Sequence, residues 1–340
     1  MAASDIDSNN PEFYIKKAEE LFKGFGPLKA WFVGEDKYEI AAEHYNKAAI
    51  LLGRTNIKRA AEMKIQEAKM LIESSGDLKY KKLRIVNAYK EAGQFYKKIN
   101  EFHTAISTYE LALPYSIMNN DSLYEIYGLI GDLYESNDLH EKALNAYETQ
   151  AEYINENHQS LNKNPLLKVA ELSIILQKYE RAIEIYEYIA TAYKDKGVLR
   201  FKGCDYFLLS SLCYIINDDY VGLTRALTTY PDKNHAFLRS KESELVNNII
   251  GIINPENTCT VADKIKQYST LCQQYDNIKT LSPILVIALT KVKDVIDPHW
   301  RNHTNNCSTI DISDQHNNST QKDNISFSPS LDLPLDGDLS

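Results

Sequence analysis

The sequence lacks any hydrophobic run long enough to cross a membrane. Its longest apolar stretch, "LSPILVIAL" at 281–289, is far shorter than the roughly 20 residues that a transmembrane helix needs. The N-terminus, "MAASDIDSNNPEFY", has no basic start followed by an apolar run, so no signal peptide is expected. We therefore expect a cytoplasmic protein.

Cysteine is also scarce. The chain has 5 cysteines, an odd number with no CxxC spacing, which favours reduced thiols in the cytosol over a disulfide framework or a zinc finger. A formal net charge of −9 argues against non-specific binding to nucleic acid, which depends on Lys and Arg. With 44% hydrophobic and 25% charged residues, most of the chain is expected to be globular.

Catalytic motifs are absent: the sequence has no P-loop, GxGxxG, HExxH or GxSxG. One set of potential zinc ligands is spaced four residues apart, and it consists of His299, His303, Cys307 and Asp311. This set follows Pro298 in an Asn-rich stretch that offers nothing to preorganise a metal site. We therefore expect no enzyme activity, no metal and no cofactor.

What the sequence does have is an internal repeat. An alanine is followed four residues later by a tyrosine, and successive copies are 38 and 39 residues apart. The pairs are Ala105/Tyr109, Ala143/Tyr147 and Ala182/Tyr186, with an earlier copy at Ala41/Tyr45. Each unit also contains a preceding apolar segment with helical spacing, which indicates two amphipathic helices per unit. Such pairs bury their apolar faces by stacking on one another.

The sequence therefore predicts an all-α fold of tetratricopeptide-like antiparallel helix pairs stacked into a curved, twisted sheet, rather than an unrelated helical bundle. The array is expected over 10–215, and its rhythm weakens from about 204. Three helices without repeat spacing predict a C-terminal helical bundle over 216–297. Residues 298–340, rich in Asn, Ser and Asp, are expected to form a disordered tail.

An unusual apolar stretch lies near the N-terminus. "FGPLKAWFVG" at 25–34 combines large apolar side chains with Gly and Pro, which suit a loop. One interpretation is a loop that dips into the membrane interface through Phe25, Leu28, Trp31 and Phe32, because Trp favours that interface. The alternative is that these side chains pack over the end of the first helix pair.

Several segments resemble the soluble NSF attachment protein (SNAP) family, and within it the alpha type, with the gamma type left open. These segments are "LLKVAELSIILQKYERAIEIYE", "DYFLLSSLCY", "EDKYEIAAEHYNKAA" and a terminus that ends Asp-Leu-x. The resemblance covers about 10–297 and the last few residues. This chain departs from the alpha type in having about 40 polar residues before its end, and Glu125 where a lysine is implied.

The resemblance implies an adaptor that binds the four-helix SNARE complex and recruits the hexameric ATPase NSF, with peripheral contact to membranes. By alignment with the family, the SNARE-binding residues are Lys163, Lys168, Arg200, Lys202 and, more weakly, Lys241. The residues implied to bind and stimulate NSF are Asp336, Asp338 and Leu339.

A second functional class stays open at this point. A repeat scaffold that binds peptides, such as a co-chaperone adaptor, clamps a C-terminal carboxylate with Lys, Arg and Asn side chains from successive helices. No such set aligns across these units, and their spacing of 38 and 39 residues is longer than the 34 residues of tetratricopeptide repeats.

Overall fold

The fold is seen in a computed structural model that describes residues 9–23, 36–74, 78–117, 119–153 and 165–297. These ranges are almost entirely helical and contain no strand, which confirms the all-α prediction. In chain order the helices are α1 (Pro11–Glu20), α2 (Asp36–Leu52), α3 (Ile57–Glu73), α4 (Leu78–Lys98), α5 (Phe102–Glu110), α6 (Leu113–Ser116), α7 (Asn120–Glu135), α8 (His140–Glu152), α9 (Pro165–Ile175), α10 (Tyr179–Ala192), α11 (Arg200–Ile216), α12 (Tyr220–Lys233), α13 (Lys241–Ile253), α14 (Val261–Ile278) and α15 (Pro283–Ile296).

Most consecutive helices pack against each other along the chain, as the predicted stack of helix pairs requires. Helix α11 is the most buried of them and contacts α10, α12, α13 and α15. It is apolar around most of its circumference, which is the pattern of a helix enclosed on all sides. The hydrophobic core that contains α11 runs from Ala143 to Ile296. The predicted division of this region at 215 stays a prediction.

The turn inside each helix pair repeats the same backbone geometry. A residue with positive φ follows the first helix of four pairs, at Asn100 (60°), Asp138 (56°), Gln177 (61°) and Asp218 (58°). In the second of these turns the Leu139 N–H donates to the Tyr134 carbonyl at 2.9 Å and the Asp138 N–H to the Glu135 carbonyl at 3.1 Å. The other three turns form the equivalent bonds, which define a Schellman cap. The same turn therefore recurs between α11 and α12, where the repeat spacing in the sequence has already weakened.

The alanine and tyrosine pairs form the core of the stack. Ala105, Ala143 and Ala182 are fully buried, as is Tyr109. Each tyrosine lies on the second helix of its pair, and two of the rings pack on a glycine of the first helix. A Cβ atom added to Gly131 would lie 2.7 Å from the ring of Tyr147. The helices approach so closely because no side chain separates the ring from the backbone.

This contact makes a prediction about Gly131. Replacing it with alanine forces the Tyr147 ring to move, and such overpacking costs about 1–3 kcal/mol. We expect Gly131→Ala to lower the urea midpoint, although alanine is the better helix former. Gly251 in α13 is the matched control, because nothing lies within 4 Å of an added Cβ there. Gly251→Ala should raise stability by about 0.5–1 kcal/mol. Equal effects of the two changes would contradict the packing argument.

The repeated turn makes a second prediction. Gln177 is exposed and has φ 61°, a conformation that costs about 1–2 kcal/mol for residues other than glycine. Gln177→Gly should therefore raise the thermal midpoint, after part of the gain is lost to the greater freedom of the unfolded chain. Asn217→Gly is the control, since Asn217 has φ −82° and gains nothing from glycine. If both variants lost stability, the left-handed turn would not be strained.

Candidate partner-binding cleft

A cleft of about 480 Å³ lies between α9, α11 and the start of α15. Its apolar surface comes from all three helices and includes Leu172, Ile175, Leu209 and Ile284. Its charged groups are Lys168, Lys202 and Lys279 together with Glu135, Glu171 and Asp205. The cleft thus brings together two of the predicted SNARE-binding lysines, Lys168 and Lys202, which are 34 positions apart in the sequence.

Lys168 joins two repeats. Its Nζ donates to Glu135 Oε1 at 2.9 Å and lies 3.8 Å from Glu171 Oε2. Burial is the largest single influence and lowers the pKa of Lys168, but the hydrogen bond to Glu135 and the negative charges of the surrounding carboxylates together raise it, so the net shift is upward. Glu135 is itself within 2.7 Å of the hydroxyl of Tyr147. Because 43% of its side chain is exposed, Lys168 remains accessible to a partner.

Arg200 and Lys202 begin α11, directly after the 3-10 turn Gly197–Leu199. The buried Asn234 donates to the Arg200 carbonyl at 2.9 Å and so holds this turn against α12. The guanidinium of Arg200 lies 5.0 Å from the ring centroid of Phe201. Both basic residues are exposed, and Lys202 faces the cleft.

Three apolar side chains beside these basic residues were not predicted as functional. Val198 is 84% exposed, Leu199 50% and Phe201 52%, and they are clustered within four positions, whereas single exposed apolar residues are common on protein surfaces. In the sequence, "GVLRFK" at 197–202 interleaves them with Arg200 and Lys202. This alternation after a glycine is the signal that could have identified them.

Lys279 fixes the opposite wall of the cleft. Its ammonium group donates to Asp205 on α11 and, at 2.9 Å, to Glu242 Oε1 on α13. Tyr275 on α14 donates to the same oxygen at 2.9 Å. Burial alone would raise the pKa of Glu242, but these hydrogen bonds, a backbone hydrogen bond and the positive charge of Lys279 together lower it. The C-terminal helices are thereby tied to α11.

Lys241, the weaker predicted contact, lies elsewhere. It pairs with Glu244 at 2.8 Å and lines a separate groove with Leu271 and Gln274 of α14. Glu125, which stands where the resemblance implies a lysine, pairs with Lys90 of the preceding repeat. This chain therefore lacks the basic side chain that the resemblance implies at that position.

The remaining predicted site residues lie outside the described residues. They are Phe25, Leu28, Trp31, Phe32, Lys163, Asp336, Asp338 and Leu339, and so are the potential zinc ligands from His299 to Asp311. The helices that flank the first of these segments do meet, since the ring centroids of Phe22 and Tyr38 are 5.3 Å apart.

The described residues offer little reactive chemistry. They contain no group of His, Cys, Asp and Glu side chains arranged to hold a metal ion. Cys204 and Cys213 are buried and free, and burial raises the pKa of Cys204 to about 11, which keeps it a thiol at neutral pH. Across the described part of the chain, every helix is either too short or too polar to span a bilayer.

Stacked helix pairs with a mixed polar and apolar cleft place the chain in the class of tetratricopeptide-like helical-repeat proteins. The family described as "Soluble NSF attachment protein, SNAP" matches residues 9–297. The chain belongs to this family, which confirms the resemblance.

Three relatives illustrate the match. The alpha-soluble NSF attachment protein of Vitis vinifera is 28% identical over 288 residues, which are 84% of this chain and 95% of the relative. The beta-soluble NSF attachment protein of Bos taurus is 30% identical, with 79% and 87% covered. A probable vesicular-fusion protein sec17 homolog of Schizosaccharomyces pombe is 26% identical, with 80% and 93% covered.

Proposed function

We propose that this chain is a non-catalytic adaptor that binds assembled SNARE complexes and recruits and stimulates the ATPase NSF, so that the SNARE bundle is taken apart in vesicle trafficking and membrane fusion. Membership of the SNAP family supports this role. The observation that carries it is the placement of Lys168 and Lys202 at one cleft, beside the exposed basic and apolar turn at 197–202.

The chemistry of this surface suits an acidic helical partner. Lys168, Arg200 and Lys202 offer positive charge within a chain of net charge −9, so attraction is local rather than general. Such charges mainly raise the rate of encounter and fix orientation. Val198 and Leu199 supply apolar area that gains free energy when a partner covers it.

The proposal extends to both ends of the chain. The loop with Phe25, Leu28, Trp31 and Phe32 would touch the cytosolic face of a membrane, and Lys23, which pairs with Glu19 at 3.1 Å, lies beside it. At the C-terminus Asp336 and Asp338 would orient the tail on NSF, and Leu339 would enter an apolar pocket. Lys163 and Lys241 would add contacts to the SNARE surface.

The first test reverses charge at the cleft. Lys168→Glu combined with Lys202→Glu should weaken binding to a purified four-helix SNARE bundle at least about tenfold, or about 1.4 kcal/mol, and flatten the dependence of affinity on salt. Lys178→Glu is the matched control. Lys178 is 44% exposed and also pairs with a glutamate of the preceding repeat, Glu141, at 2.8 Å, but it does not line the cleft.

The outcome separates the two functional classes. Loss of binding in the cleft variant alone supports the adaptor. Equal binding by all three proteins at every salt concentration would refute the assigned surface. Recovery of chaperones, without NSF or SNAREs, in a pull-down from cytosol would instead favour the peptide-binding co-chaperone scaffold.

The second test concerns the C-terminus. Burying one leucine contributes about 1.5–3 kcal/mol, enough to shift an ATPase between states but too little to hold a complex alone. Leu339→Ala should therefore leave SNARE and NSF binding intact while ATP turnover and disassembly fall severalfold. Leu331→Ala, in the same tail, is the control and should keep full activity. Full activity of Leu339→Ala would show that this chain engages NSF differently.

A further inference from the structure

Equivalent tyrosines in two successive repeats have different surroundings. Tyr147 and Tyr186 are 39 residues apart and hold the same position in their helix pairs. The hydroxyl of Tyr147 lies 2.7 Å from Asp132 Oδ1 and 2.7 Å from Glu135 Oε2, and it shares its single proton between these two carboxylates. The tyrosine hydroxyl of this repeat is therefore satisfied.

In the next repeat the hydroxyl is not satisfied. Tyr186 is 1% exposed, and its hydroxyl has no hydrogen-bond partner among the described residues. The carboxylate that corresponds to Asp132, 39 residues later, is Glu171. Its Oε2 faces Lys168 Nζ at 3.8 Å. Glu171 and Tyr186 both line the cleft, and burial, followed by the negative charge of Glu171, raises the pKa of the Tyr186 hydroxyl. A buried hydroxyl without a partner costs stability, so its presence calls for an explanation.

We propose that Glu171 is a positioning residue with two alternative partners, Lys168 in the free protein and the hydroxyl of Tyr186 when an acidic group of the SNARE complex takes Lys168. This inference rests on the proposed function and adds to the same cleft an exchange of partners by Glu171. The donor–acceptor pair in the second state is the one that Tyr147 and Asp132 already form one repeat earlier.

The energetic reason is the cost of leaving the carboxylate of Glu171 without a partner. When Lys168 turns to a partner, Glu135 keeps the hydroxyl of Tyr147, but Glu171 loses its cation. A half-buried carboxylate without a partner is unfavourable, so part of the binding energy would be lost. A hydrogen bond from Tyr186 restores a partner to Glu171. Both carboxylates that hold Lys168 are then satisfied after it leaves.

A double-mutant cycle tests this exchange. Tyr186→Phe should weaken binding of the purified SNARE bundle by about three- to tenfold while thermal stability stays equal or rises, because the variant loses a hydroxyl that is unpaired only in the free protein. Glu171→Gln removes the negative charge that is left without a partner when Lys168 turns away. In that background Tyr186→Phe should have no further effect on affinity, so the two changes are coupled.

Tyr109→Phe is the matched control. Tyr109 is also fully buried with an unpartnered hydroxyl, but it belongs to an earlier repeat and does not line the cleft. It should match Tyr186→Phe in stability and leave affinity unchanged. Wild-type affinity in Tyr186→Phe, or the same loss with and without Glu171→Gln, would overturn the inference.

These results are separable from those of the proposed function. If Lys168→Glu with Lys202→Glu abolishes binding while Tyr186→Phe does not alter it, the adaptor surface stands and the exchange is refuted. If neither change matters, both proposals fail.

Discussion

The contact on which the described structure depends is a tyrosine ring laid directly on the backbone of the preceding helix. Tyr109 over Gly93 and Tyr147 over Gly131 leave no room for a β-carbon. Each ring occupies the space that a side chain at the glycine would take. The two helices therefore lie close together, and the groove between them is filled. In one of these pairs the hydroxyl also finds polar partners, since that of Tyr147 lies 2.7 Å from both Asp132 Oδ1 and Glu135 Oε2.

This constraint extends from packing to the cleft. Once the ring of Tyr147 lies on Gly131, its hydroxyl reaches Glu135, and Glu135 in turn holds Lys168 of the following repeat. The position of a predicted binding lysine is thus set by core packing one repeat earlier. On the opposite wall, Lys279 ties α11 to the C-terminal helices. Lys168 and Lys279 are thus held by contacts between helices of different pairs, so stacking of the helix pairs helps to assemble the surface.

Much of the fold follows from the sequence because its signal is local. An alanine and a tyrosine four residues apart occupy one helix face, and their recurrence reveals the stacked pairs. The sequence did not predict the shared turn, because the residues that adopt its one backbone conformation differ in type. They are Asn100, Asp138, Gln177 and Asp218. The site was predictable only in part. The sequence shows a basic residue at position 168. It does not show that Lys168 pairs with Glu135 or that Val198 is exposed, because both depend on residues distant in the chain.

The pairing of the cleft lysines bears on the proposal that this acidic chain binds an acidic partner. A patch of free cations would attract any polyanion, nucleic acid included. Here Lys168 and Lys279 already contact carboxylates, so a partner gains only when it supplies a carboxylate in the right place and covers the apolar turn as well. The exchange of one ion pair for another contributes little net energy at a half-exposed site, which leaves geometry and apolar contact to discriminate. Under the proposed function, selectivity would arise from the arrangement of paired charges beside an exposed apolar turn rather than from the amount of positive charge.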